Sequence, residues 1–129
     1  VINVVERFGD MIRTVTHEEQ TTREKHTPFI HAPDEVNAGE EFDVTVIVGK
    51  EIAHPNKWEH HIKWIQIFVE EEGRLFNPVH VATFDLGPTF GEPKLTFKMK
   101  LNKNSRIWAI SYCNLHGLWE NYKDVRVRG

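Results

Sequence analysis

Between Phe42 and Val48 the side chains alternate, with Phe42, Val44, Val46 and Val48 on one face, Asp43, Thr45 and Ile47 on the other, and Gly49 ending the run. A period of two in β-branched residues commits this stretch to a strand with one face fully buried and the other partly so. A strand of that kind needs neighbours on its edges and a second layer over its apolar face. The chain supplies them. Ile62, Trp64, Gln66 and Phe68 face away from Ile65, Ile67 and Val69, and further strands are predicted over Pro78 to Phe84, Lys94 to Leu101, Arg106 to Tyr112 and Tyr122 to Arg128. Gly, Pro, Asn or Asp separates each from the next. About seven short strands at this spacing predict an all-β, immunoglobulin-like antiparallel β-sandwich.

Ahead of the strands, Val4, Phe8, Met11, Ile12 and Val15 recur at helical spacing, which predicts a short helix or arm packed against the domain. His17 to Lys25 is polar and reads as an exposed loop, so residues 1–25 form an N-terminal arm. Glu70 to Arg74 and Asn102 to Ser105 read as hairpin connections. With 129 residues, 40% of them hydrophobic, and no repeat or linker, residues 1–129 are expected to form a single domain.

Charge and cysteine usage exclude several functions. Sixteen basic and nineteen acidic residues are interspersed, for a net charge of -3, and no basic stripe exists to hold a nucleic-acid backbone. The N-terminus lacks the apolar core of a signal peptide, and no stretch is long enough to span a bilayer as a helix. One cysteine permits no internal disulfide and no four-cysteine zinc or iron-sulfur site, which fits a reducing, cytoplasmic setting.

That cysteine, Cys113, stands three positions before His116, directly after an apolar strand. A thiolate and an imidazole so spaced can turn onto one metal ion at the rim of a sheet. Alone, Cys113 reads equally well as an inert buried hydrophobe. Upstream histidines add donors: His26, His54 before Pro55, and the adjacent pair His60 and His61. Consecutive strand residues point to opposite faces, so one of that pair reaches a given ion, and periodicity does not choose which. His17, His31 and His80 lack comparable context and read as surface or structural residues.

Four segments in order carry a specific resemblance: Glu24-Lys25-His26-Thr27-Pro28, Gly49-Lys50-Glu51-Ile52-Ala53-His54-Pro55-Asn56, Glu59-His60-His61-Ile62, and Ser111-Tyr112-Cys113-Asn114-Leu115-His116-Gly117-Leu118-Trp119-Glu120. The chain resembles the superoxide reductases of the one-iron kind called neelaredoxin, which are related to the C-terminal domain of desulfoferrodoxin. The resemblance implies a mononuclear iron, Fe2+/Fe3+, held by His26, His54, His60, His116 and the axial thiolate of Cys113. It thus selects His60 over His61. It further implies that Glu24 is the sixth ligand of the oxidised ion and that Lys25 draws in superoxide, which makes these two the catalytic residues beside the metal.

By the same resemblance the activity is one-electron reduction of superoxide to hydrogen peroxide, the electron donor is rubredoxin-like, and the assembly is a homotetramer. The two-iron relatives carry an N-terminal four-cysteine domain, and nothing before Glu24 here corresponds to it. Two rival readings remain in view. A blue-copper electron carrier is also a sandwich with a Cys and His at one rim, but it adds an axial methionine, and neither Met11 nor Met99 follows His116. A non-catalytic immunoglobulin-like module with incidental histidines is the other.

Overall fold

The structure, a computed structural model, describes residues 7–14, 22 and 25–129. Among the described residues, eight strands follow a 3-10 turn, η1 (Phe8–Met11): β1 (Pro28–His31), β2 (Glu35–Asn37), β3 (Phe42–Val48), β4 (Ile62–Glu71), β5 (Val79–Asp85), β6 (Lys94–Met99), β7 (Ser105–Cys113) and β8 (Gly117–Arg128). They form an all-β sandwich. One sheet has the order β1-β3-β6 and the other β2-β8-β7-β4-β5, and every pairing is antiparallel except β2 with β8.

The core lies between the sheets. Val44 and Val46 from β3 meet Ile65 and Ile67 from β4 and Ile107 and Ala109 from β7, all fully buried. Each is an alternate residue of its strand, so the period of two read from the sequence is what turns apolar side chains inward.

The structure departs from the sequence reading at four points. Strands β1 and β2 are additional, being only four and three residues long and too short for periodicity to register. Strand β8 begins at Gly117, five residues before Tyr122, because it pairs with β7 from the first residue after the turn. The connection Asn102 to Ser105 is not a hairpin, since it carries the chain from β6 in one sheet to β7 in the other. Ile62 faces the core beside Ile65 rather than sharing the Trp64 face, because a bulge between Ile62 and Trp64 gives Lys63 no partner on β7 and resets the alternation.

The apolar stripe of the arm is also different from expectation. Phe8 and Met11 are 65% and 52% exposed, since a single 3-10 turn has no second turn to continue a buried face. Val4 and Val15 lie outside the described residues. What attaches the arm is backbone pairing: the Arg13 N–H donates to the Leu118 carbonyl at 2.9 Å, and the Glu120 N–H donates to the Arg13 carbonyl at 2.7 Å.

Candidate metal centre

Strand β7 points Ser105, Ile107, Ala109, Ser111 and Cys113 into the core, so the sulfur arrives at the sheet's end on the inner face, fully buried. Cys113 and Gly117 are paired, and Asn114, Leu115 and His116 form a three-residue hairpin loop between them. Gly117 closes that loop at φ 79°, a conformation that costs a residue with a Cβ about 1–2 kcal/mol. The tight turn folds His116 back over the sulfur. Its N–H donates to Cys113 Sγ at 3.4 Å, and its Nδ1 lies 3.7 Å from the same atom.

The loop between β3 and β4 brings two more rings. Gly49 stands at φ 84°, and a Cβ there would meet the His54 backbone nitrogen at 2.5 Å and the Ile52 carbonyl at 3.0 Å. Only glycine lets the chain fold this closely onto His54. Further along, Lys57 and His60 exchange backbone hydrogen bonds at 2.9 and 3.1 Å, a four-residue turn that presents His60. Asn114 fastens this turn to the β7–β8 loop: its Oδ1 accepts from the His61 N–H at 2.8 Å, its Nδ2 donates to the Glu59 carbonyl at 2.9 Å, and its N–H donates to the His61 carbonyl at 3.2 Å.

His26 comes from the opposite side, just before β1. Its carbonyl accepts from the buried Ser111 hydroxyl at 3.2 Å, and Asn121 Nδ2 donates to the Pro28 carbonyl at 2.9 Å. The indole of Trp119 stacks on the His26 ring at 5.0 Å and 19°.

The four rings stand at the corners of a near-square. Adjacent centroids are 4.7 Å apart for His26–His54 and for His54–His60, 5.0 Å for His60–His116 and 4.7 Å for His26–His116, while His26 and His60 face each other across it at 6.4 Å. Which nitrogen points inward is forced by the outer bonds, because a carbonyl can only accept. His26 Nδ1 donates to the Thr22 carbonyl at 2.8 Å and His54 Nδ1 to the Pro55 carbonyl at 2.7 Å. Both therefore turn an Nε2 lone pair inward, the arrangement in which a carbonyl fixes the tautomer of a metal ligand.

One donor atom from each of His26, His54, His60 and Cys113 lies within 4.8 Å of the others. His116 joins them through Nδ1, 3.1 Å from His26 Nε2. His60 Nε2 is buried with no hydrogen-bond partner, an expensive condition for a polar atom unless a cation shares its lone pair. One sulfur and four imidazole nitrogens suit a transition metal such as iron, and they do not suit the oxygen-seeking calcium or magnesium. The residues fit a mononuclear iron.

Burial also favours the neutral form of His26, His54 and His60, as ligation requires. Desolvation pushes His54 down to about 4 from its ordinary 6.5. His26 and His60 are lowered too, first by desolvation and then by neighbouring charge, including that of Lys25. His61 sits outside the square, buried, with Nδ1 donating to the Lys57 carbonyl at 3.1 Å. His80 is bonded to Thr83 at 2.8 Å on the exposed face of β5, and His31 is exposed at the end of β1. Lys25 is half-buried beside His26, while Glu24 and His17 lie outside the described residues. Asn114, Ser111 and Trp119 are supporting residues that periodicity could not single out. Their only signal was proximity to Cys113 and His116.

Comparison with known proteins gives the family. The family described as desulfoferrodoxin matches residues 18–122. The chain belongs to that family. The neelaredoxin of Megalodesulfovibrio gigas is 40% identical over 117 residues, covering 81% of this chain and 89% of the relative. The superoxide reductase of Pyrococcus horikoshii is 44% identical over 101 residues, covering 76% and 84%. Among solved structures, the superoxide reductase (neelaredoxin) of Ignicoccus hospitalis superposes with a TM-score of 0.88 at 44% identity, covering 95% of this chain and all of that one. A desulfoferrodoxin-family chain with a filled square of histidines is neither a blue-copper carrier nor a module with incidental histidines.

Two outcomes test the geometry. Gly49→Ala should leave the sandwich folded, by circular dichroism, but displace His54 and weaken metal binding at least about tenfold in a chelator competition. For pH the sign follows from the lowered histidines: between about 4 and 6.5 the unfolded chain binds more protons than the folded one, so stability rises with pH. The metal-free protein should lose stability as pH falls from 6.5 towards about 4, and His54→Gln should reduce that loss in urea titrations across the window.

Proposed function

We propose that this chain is a superoxide reductase, consuming superoxide, one electron and two protons to give one hydrogen peroxide. The observation that carries this reading is the convergence of four imidazole rings and the Cys113 sulfur on one point in a desulfoferrodoxin-family fold. His26, His54, His60, His116 and Cys113 would hold a mononuclear iron, which by cycling between Fe2+ and Fe3+ would supply the single electron.

The chain's own residues do the rest. Superoxide is an anion and the protein carries a net charge of -3, so a local field has to reverse the sign at the entrance. Lys25 supplies it, because its ammonium is close enough to lower the proton affinity of both His26 and His60. His116 is exposed and His60 half-exposed, so these two corners of the square face solvent, where water delivers protons. Cys113 is closed off in the core. Glu24, two residues before His26 in sequence, would supply a further carboxylate ligand to the oxidised ion.

Residues 1–129 act as one iron-binding domain, with 1–25 as the arm that carries Glu24 and Lys25. A rubredoxin-like protein returns the electron. The assembly is a homotetramer, a reading supported by the outer face of the five-stranded sheet, where Trp64 stacks on Tyr112 and Trp108 packs at Tyr122 with no further sheet over them among the described residues. No helix among the described residues is long and apolar enough to cross a membrane, and a lone reactive thiol suits the reducing cytoplasm.

The deciding experiment follows superoxide consumption by the iron-loaded protein while oxygen is monitored. Peroxide without oxygen is expected, and oxygen evolving in step with peroxide would mean dismutation instead. Cys113→Ser should abolish both the reductase activity and the visible sulfur-to-iron absorption. Lys25→Ala should slow superoxide capture several-fold at low ionic strength and flatten its salt dependence. An equal rate in both proteins at low salt would remove Lys25 from the steering role.

A further inference from the structure

Trp119 is 2% exposed and lies on β8 directly across from Ser111 on β7. Its large side chain is buried, and two of its contacts reach residues that form the square of histidines. The indole and His26 rings stack with centroids 5.0 Å apart at 19°. The indole N–H donates to the His116 carbonyl at 3.2 Å. His26 and His116 are adjacent corners, 4.7 Å apart. They stand 90 positions apart in the sequence.

Each contact controls a different degree of freedom. Stacking sets the plane of the His26 ring, whose other anchor, the Thr22 carbonyl, fixes which nitrogen points inward but leaves a rocking motion about that bond. The bond to the His116 carbonyl sets the tilt of the turn, and with it the direction of the His116 N–H that donates to the Cys113 sulfur. A hydrogen bond to a thiolate removes charge from it, so the angle of that N–H bears on how strongly the sulfur donates to a metal. Trp119 is itself held where the arm crosses β8, through the Arg13 bonds to Leu118 and Glu120 on either side of it.

We propose that Trp119 is a positioning residue of the metal centre, holding the His26 ring plane and the His116 turn so that both corners and the sulfur's hydrogen bond are preset before metal enters. The inference rests on reading the histidine square as an iron site. It concerns how that site is tuned, and substitution of Trp119 touches no ligand atom.

Two substitutions separate the contacts. Trp119→Phe keeps an aromatic face for His26 and loses the N–H, whereas Trp119→Leu loses both. Each is compared with the unmodified chain, iron-loaded, in three measurements: Fe2+ affinity by chelator competition, the position of the sulfur-to-iron absorption band in the oxidised protein, and thermal unfolding. Trp119→Phe is expected to shift the absorption band and weaken Fe2+ binding about tenfold, and Trp119→Leu to weaken it about a hundredfold. If Trp119→Leu fails to fold, Trp119→Phe decides alone. A lower unfolding temperature with an unchanged band and unchanged affinity in folded Trp119→Phe would show a packing residue only and overturn the proposal. If the unmodified chain itself bound no iron, the iron-site reading would fall, and the proposal with it.

Discussion

Buried lone pairs are the constraint on which this structure depends. A sulfur and ring nitrogens sit in a region that the fold seals from water on the core side, and His60 Nε2 has no hydrogen-bond donor facing it. Such atoms are costly to bury without a partner, and the cost here is borne by a chain that spends carbonyls on keeping the rings oriented this way. The Thr22 and Pro55 carbonyls accept from the outer nitrogens of His26 and His54, which leaves the inner nitrogens able only to accept. Within the cluster His116 Nδ1 can donate to His26 Nε2 at 3.1 Å and Cys113 Sγ lies 3.4 Å from His54 Nε2, but among the described residues no donor reaches His60 Nε2. A cation at the centre would answer all of these lone pairs at once, which resolves the conflict and marks the arrangement as a metal site.

Holding that conflict in place takes three segments far apart in sequence, and each is secured by a different device. The β7–β8 hairpin is the rigid reference: its ladder runs unbroken from Ser105 opposite Val125 to Cys113 opposite Gly117, so the sulfur has little freedom. The β3–β4 loop is secured by the close approach at Gly49 and by the three hydrogen bonds of Asn114, which make that loop part of the hairpin's turn. The segment at His26 has neither. It relies on Ser111, Asn121 and Trp119, all side chains of the same hairpin. One hairpin therefore positions His116 directly and the His26 and His60 segments through its side chains, while His54 rests on the close approach at Gly49.

This division explains what was legible in the sequence. Strands β3 to β7 could be read because half of their residues face a dry core, and alternation records that directly. β1 and β2 could not, since three or four residues carry no period, and the bulge after Ile62 could not because an unpaired residue looks like any other until its partner strand is known. The arm's apolar stripe was a genuine pattern with the wrong consequence: Phe8 and Met11 share a face, but backbone pairing at Arg13 attaches the arm and leaves that face outward. Among site residues, the spacing of Cys113 and His116 was readable because a three-residue turn constrains it locally. Choosing His60 over His61 needed the family resemblance, and the structure shows the physical difference: His61 turns its ring to the Lys57 carbonyl while His60 leaves its Nε2 unpaired.

The placement of Lys25 follows the same logic from the opposite direction. A steering charge works through a field that extends several ångströms, so it tolerates displacements that would disable a ligand. It also raises the cost of any proton on the rings beside it, adding to the lowering of His26 and His60 that burial chiefly causes. A lysine built into the β7–β8 hairpin would face a ladder that fixes its backbone, next to a sulfur whose charge it would neutralise. Beside the two opposite corners His26 and His60, Lys25 adds positive potential there, while the Cys113 sulfur lies buried on the core side. The polarity of the centre, with cation outside and sulfur inside, thus follows from the alternation of β7, which carries Cys113 inward, and from the place of Lys25 next to His26.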